Sequence, residues 1–199
     1  MTRHLSRFGL AGILLLPSLA LAHTGTGDPH LHSALASGLL HPFTGLDHLA
    51  AMLALGVWSA LAVRPLWLAP AAFVLMLAVG ALAGFAGLAV PAVEPMIASS
   101  LLVLGLLVAT RRGLPMALAA ALAGLFAFFH GAAHGSELAA DFGGTNQWLA
   151  LAGMVCATAA LHGLGIALGN TLFARLRWLG TAAGGGVALL GSALLLRLA

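Results

Sequence analysis

Six apolar runs succeed one another between residues 43 and 197, and they constrain the fold more tightly than anything else in this sequence. They cover 43–63, 67–88, 95–110, 114–135, 147–169 and 177–197. A bilayer core of roughly 30 Å takes about 20 helical residues at ~1.5 Å each. Each run therefore predicts a transmembrane helix, the third being the shortest. Chain breakers stand between them: Arg64-Pro65, Pro91 with Pro95, Gly113 with Pro115, and Gly143-Gly144. The expected fold class is an all-α polytopic membrane protein with a six-helix transmembrane domain over 42–199. With 61% hydrophobic residues and 7% charged ones, a soluble domain is excluded.

The first residues read as a targeting segment. MTRHLSR supplies a positive end, FGLAGILLLPSLA a short apolar core, and Ala20-Leu21-Ala22 a small-x-small cleavage site. Residues 1–22 are expected to be a cleavable signal peptide, and 23–41 a histidine-containing periplasmic tail that begins at His23. Arg64, Arg111, Arg112, Arg175 and Arg177 fall in alternate loops, which the positive-inside rule assigns to the cytoplasm. Both mature termini then lie in the periplasm, Arg197 being a terminal exception, and the chain belongs in the bacterial inner membrane. Trp67, Trp148 and Trp178 sit at span ends, as interfacial aromatics do. GALAG (Gly80 to Gly84), GLGIALG (Gly163 to Gly169) and the run Gly184 to Gly186 read as small-residue faces for close helix packing.

Several functions are excluded. The eight basic residues are all arginine and scattered, so no stripe exists to neutralise nucleic-acid phosphates. The single cysteine, Cys156, rules out an intrachain disulfide and a cysteine metal site, and reads as a small core residue. No GxxxxGK[ST] loop is present, so the chain itself carries no ATP engine.

Against this apolar background, nine histidines and five carboxylates stand out. In HPFTGLDHLAAML, Pro42 suits a helix start and places His41 at the outer mouth of the first span. Asp47 and His48 follow less than two turns in, with Met52 one turn below as a packing residue. In FFHGAAHGSEL, His130, His134 and Glu137 share one helical stripe. The first span enters from outside and the fourth leaves to the outside, so both groups fall at the same outer depth. A carboxylate at that depth is costly without a partner, and the outer half offers no arginine for Asp47 or Glu137. A divalent ion among neutral imidazoles and acids would offset the cost. His162, on the fifth span, is expected roughly 22 Å from that helix's outer end, nearer the cytoplasm. Glu94 reads either as a carboxylate favoured by a helix N-terminus or as an entry charge. His23 would offer an amine and an imidazole as a chelating pair.

HPFTGLDHLAAMLALGVWSA, VEPMIASSLLVLG and FHGAAHGSELA resemble the HupE/UreJ family of nickel permeases over nearly the whole chain. His41, Asp47 and His48 match its HX5DH pattern. His130, His134 and Glu137 match FHGXAHGXE. The resemblance implies bacterial nickel uptake serving hydrogenase or urease maturation, and prefers Ni²⁺ over the Co²⁺ or Zn²⁺ that the residues alone allow.

The expected function is therefore ATP-independent metal uptake, not catalysis, with the metal as cargo and no prosthetic group. Capture would involve His23 and His41. Holding would fall to Asp47, His48, His130, His134 and Glu137, and passage inward to His162. Partners are the divalent ion and the bilayer, not nucleic acid; whether the chain forms a homo-oligomer stays open. Protons compete with metal for imidazole, so uptake should fall below an external pH of about 6.5. The alternatives are an intramembrane metal-dependent hydrolase, for which Ser136 lacks a triad context, and a non-transporting accessory protein that binds metal.

Overall fold

The computed structural model describes residues 31–199. The expected signal peptide and His23 lie outside them. Every regular element among the described residues is helical: α1 Leu31–Leu40, a 3-10 turn His41–Phe43, α2 Leu46–Ala62, α3 Leu68–Phe85, α4 Val93–Thr110, α5 Met116–Asp141, α6 Gly144–Leu168 with a π turn Gly169–Phe173, and α7 Arg177–Leu198. The breaks follow backbone chemistry. Pro70 and Pro95 lie in the first turns of α3 and α4, where no intrahelical N–H is needed. Gly143 and Gly144, both at positive φ, turn the chain from α5 into α6.

Helices α3 to α7 are each long and apolar enough to cross a membrane. The sixth span is of a different kind. Helices α1 and α2 are bent by 76° at the turn between them and reach spanning length only as a broken pair. The chain read as a tail up to residue 41 is thus helical from Leu31 onward. Ten residues containing Gly38 carry too little helical signal to be read as an element. What holds α1 is tertiary: Gly38 meets the backbone of Ala150, and Gly153 meets that of Leu35 and Leu39. Along α6, α1 covers one stretch and α2 the next, where Gly56 and Gly165 bring the two backbones together.

The remaining packing is also set by small residues. Gly80 and Gly84 of α3 lie against Phe128, Ala132 and Ser136 of α5, and Gly131 and Gly135 of α5 lie against Leu77 and Ala81 of α3. A Cβ on any of these four would run into partner backbone. Gly105 packs α4 on α7 through Gly184, whereas Gly163, Gly185 and Gly186 face open space. The glycine runs read from sequence therefore contribute single contact residues rather than whole faces. Cys156, expected in the core, is exposed, on the stripe of α6 that also carries Ala152 and Ala160. Trp67, Trp148 and Trp178 are exposed at helix ends.

The two ends of the bundle differ. At the arginine-rich end, the buried Trp58 donates from Nε1 to the Arg112 carbonyl (2.8 Å), and Arg111 donates to the Phe173 carbonyl (2.5 Å). Ser59 donates to the Leu66 carbonyl. These bonds tie three loops across the bundle. The opposite end holds an open cavity of about 640 Å³, lined among others by Asp47, His48, Glu94, Glu137 and Arg197.

Candidate metal centre

The break in the first span builds the site. Pro42 opens the 3-10 turn, Thr44 closes it by donating from its N–H and its hydroxyl to the His41 carbonyl, and Gly45 is extended before α2 begins. The turn carries the His41 ring across to α5. His41 Nε2 lies 2.6 Å from His134 Nδ1 and 3.2 Å from Glu137 Oε2. His134 Nδ1 lies 3.4 Å from the same oxygen. Around one ion with bonds of about 2.0–2.1 Å, neighbouring ligand atoms stand roughly 2.9–3.4 Å apart. The three separations bracket that spacing, so two nitrogens and one oxygen can close on a divalent ion with small movements. Glu137 is 59% exposed while His134 is 7% exposed, which places the group between open solvent and the protein interior.

The residues read as one ion-holding set are brought together in tiers. Asp47 does not point at the His41–His134–Glu137 group. Its Oδ1 accepts from the His48 backbone N–H (2.9 Å) and from the His48 ring at Nδ1 (3.0 Å). A carboxylate can only accept, so His48 Nδ1 carries a proton, and in the neutral ring Nε2 is the nitrogen with the lone pair. The His48 ring stacks at 4.2 Å from the His134 ring and 4.8 Å from the His130 ring. His130, one turn before His134, is fully buried and turns to α4, where Ser100 Oγ lies 3.0 Å from its Nε2.

One position differs from expectation, and another has neighbours that the spacing did not give. His162 lies deep in the bundle, against α2 and α3. Its Nδ1 lies 2.9 Å from the carbonyl of Met52, and its ring and that of His130 both pack on Phe73, at 5.1 and 5.7 Å. The reason is α1, which takes up the stretch of α6 around Gly153, so that α2 meets α6 at the level of His162 and Gly165. The correction concerns Arg197. The antiparallel packing of α7 on α4 brings it to the cavity that holds Asp47, Glu94 and Glu137, so that end is not without arginine. Among the described residues, the ion pairs of Asp47 and Glu137 are nevertheless with histidine. Glu94 lies in the first turn of α4 and on the cavity wall. His23 lies outside the described residues.

Sequence reasoning missed Ser100 and Phe73. The pair Ser99-Ser100 inside an apolar span was the available signal for the first. Nothing in an apolar run marks one phenylalanine for the second.

The HupE / UreJ protein family model matches residues 11–194 of this chain. The protein named Protein HupE from Rhizobium leguminosarum bv. viciae is 45% identical over 184 residues, covering 92% of this chain and 93% of its own length. No solved structure matches.

Proposed function

From the premise that this chain is a member of the HupE/UreJ family, we propose that it is a secondary permease for a divalent transition-metal ion, Ni²⁺ first, and that it carries the ion inward across the bacterial inner membrane for hydrogenase or urease maturation. The observation that carries the reading is the convergence of His41 Nε2, His134 Nδ1 and Glu137 Oε2 within 4.8 Å of one another beside an open cavity. Imidazole and carboxylate suit a borderline ion and exclude a soft Cu⁺ path, which would draw on thiolate or thioether.

The cavity supplies entry. Glu94, Glu137 and Asp47 give its wall negative charge that attracts a cation, and Arg197 limits how negative it becomes. The ion meets the outer group first, then the His48 ring beneath it, which Asp47 orients by accepting from Nδ1 so that Nε2 is the ligating nitrogen. Release requires the bonds of Trp58 and Arg111 at the arginine-rich end to part. A 2+ ion moving inward gains roughly 4.6 kcal/mol per 100 mV of membrane potential, enough to drive accumulation without ATP.

The test is flux of radioactive Ni²⁺ into liposomes containing the purified protein under an inside-negative potential. The reading expects uptake that His134→Ala abolishes. Equal flux from the two proteins, or none from either, contradicts it. A serine nucleophile has no comparable support, because the Ser136 hydroxyl donates to the Ala132 carbonyl one turn back (3.0 Å) rather than to a base; a metal-dependent hydrolase would show substrate turnover without flux in the same liposomes.

A further inference from the structure

Among the described residues, three buried side-chain atoms have no hydrogen-bond partner: His48 Nε2, His130 Nδ1 and His162 Nε2. All are imidazole nitrogens, and in each ring the other nitrogen is engaged. His48 Nδ1 donates to the Asp47 carboxylate and His162 Nδ1 to the Met52 carbonyl, groups that can only accept. The Ser100 hydroxyl donates its one proton to the Ile97 carbonyl at 2.6 Å, so its oxygen receives the N–H of His130 Nε2 at 3.0 Å. Within the neutral ring, three neighbours of three kinds thus select the same kind of tautomer: the engaged nitrogen carries the proton and the other presents its lone pair.

A histidine that serves packing has no need of this. Leaving a buried nitrogen unpaired is costly, and buried polar groups in folded proteins are nearly always satisfied. A histidine that binds metal does need it, because its second nitrogen characteristically donates to a carboxylate, a carbonyl or another fixed acceptor that sets the tautomer. His130 is 0% and His162 1% exposed, and both rings rest on Phe73. His48 connects them to the outer group, its ring 4.8 Å from that of His130.

We propose that His130 Nδ1 and His162 Nε2, flanking Phe73, form a second and inner metal station, entered from His48 Nε2, with Ser100 and the Met52 carbonyl holding both rings in the ligating tautomer. The station takes a borderline divalent cation, through neutral nitrogen ligands only. It rests on the permease reading for its direction of use, but not for its existence. Ser100 and Met52 are positioning residues, since each acts on the ion through a histidine.

The experiment counts Ni²⁺ bound in equilibrium dialysis by the purified full chain carrying His23→Ala, His30→Ala and His32→Ala. Only ions held in the bundle are then counted, and this chain is the parent for the variants. The parent protein should bind two equivalents. His162→Gln retains bulk and a donor for the Met52 carbonyl; it should bind one, with the affinity of the first equivalent within about twofold of the parent, which also reports that the fold is intact. Ser100→Ala should weaken the second equivalent by roughly 10–100-fold, and Ser100→Thr, which keeps the hydroxyl, should restore it. A parent that binds one equivalent overturns the station. So does a second equivalent in His162→Gln at parental affinity, or a loss in Ser100→Ala that Ser100→Thr does not recover. Liposome flux is read separately. Flux with one equivalent bound defeats the inner station and leaves the permease standing; two equivalents without flux do the reverse.

Discussion

His41, His134 and Glu137 turn their ligand atoms toward one another across 2.6–3.4 Å, beside a cavity open to solvent. His130 and His162, buried in the bundle, keep one nitrogen each without a hydrogen-bond partner. The two regions are made of the same residue type, yet they solve different problems. At the outer group the nitrogens and the acid satisfy one another and water reaches Glu137, so the absence of an ion is cheap. At the inner pair no solvent is available to re-orient the ring or settle its protonation, so the tautomer has to be imposed by fixed neighbours. Ser100 and the Met52 carbonyl do that. A wet site can select an ion; a dry one can only accept it in the form the protein has prepared for.

The comparison is broken most severely at His134, which touches His41 and Glu137 and stacks on His48. His134→Ala should reduce Ni²⁺ uptake by cells more than about 100-fold, beyond the 10–100-fold typical of losing an outer-shell partner. A residual rate above a tenth of the parent would show that the outer group is not the point of capture. Asp47→Asn comes next. It keeps the shape beside His48 while removing the charge that receives the Nδ1 proton, so uptake should fall by roughly 10–100-fold with the protein still in the membrane. An effect as large as that of His134→Ala would instead make Asp47 a ligand.

How much of this was legible in sequence depends on the kind of information involved. The long apolar runs announced six spans, and five helices cross by themselves. Helical spacing put His130, His134 and Glu137 on one stripe and led to the meeting of α2 with α5. It could not divide that stripe between two tiers, because one helical turn separates His130 from His134 and each reaches a different neighbour, Ser100 on α4 and His41 on the turn. Asp47 and His48 are adjacent and about 100° apart on a helix, so one supporting the other was compatible with the spacing but not dictated by it. The broken first span was hidden, since α1 is short and is held by α6 rather than by its own pattern.

Smaller effects sharpen the contrast through architecture. Gly131→Ala would push α5 off the Leu77 backbone and move both tiers together. Overpacking of this kind costs roughly 1–3 kcal/mol, and a lower thermal unfolding midpoint in detergent should accompany reduced uptake. Unchanged stability would mean that α3 and α5 are not packed this closely. Cys156→Ser, on the exposed stripe of α6, should leave uptake within about twofold of the parent, as substitutions away from structural features do. A large loss there would point to a contact that the isolated chain does not make.

The central claim is that one ion is held between the turn at His41 and the end of α5. Crystals of the protein soaked in Ni²⁺ and measured at the nickel absorption edge test it directly. The account expects an anomalous peak about 2 Å from His41 Nε2, His134 Nδ1 and a Glu137 oxygen together. A protein that transports Ni²⁺ yet shows its strongest peak away from all three atoms would contradict it.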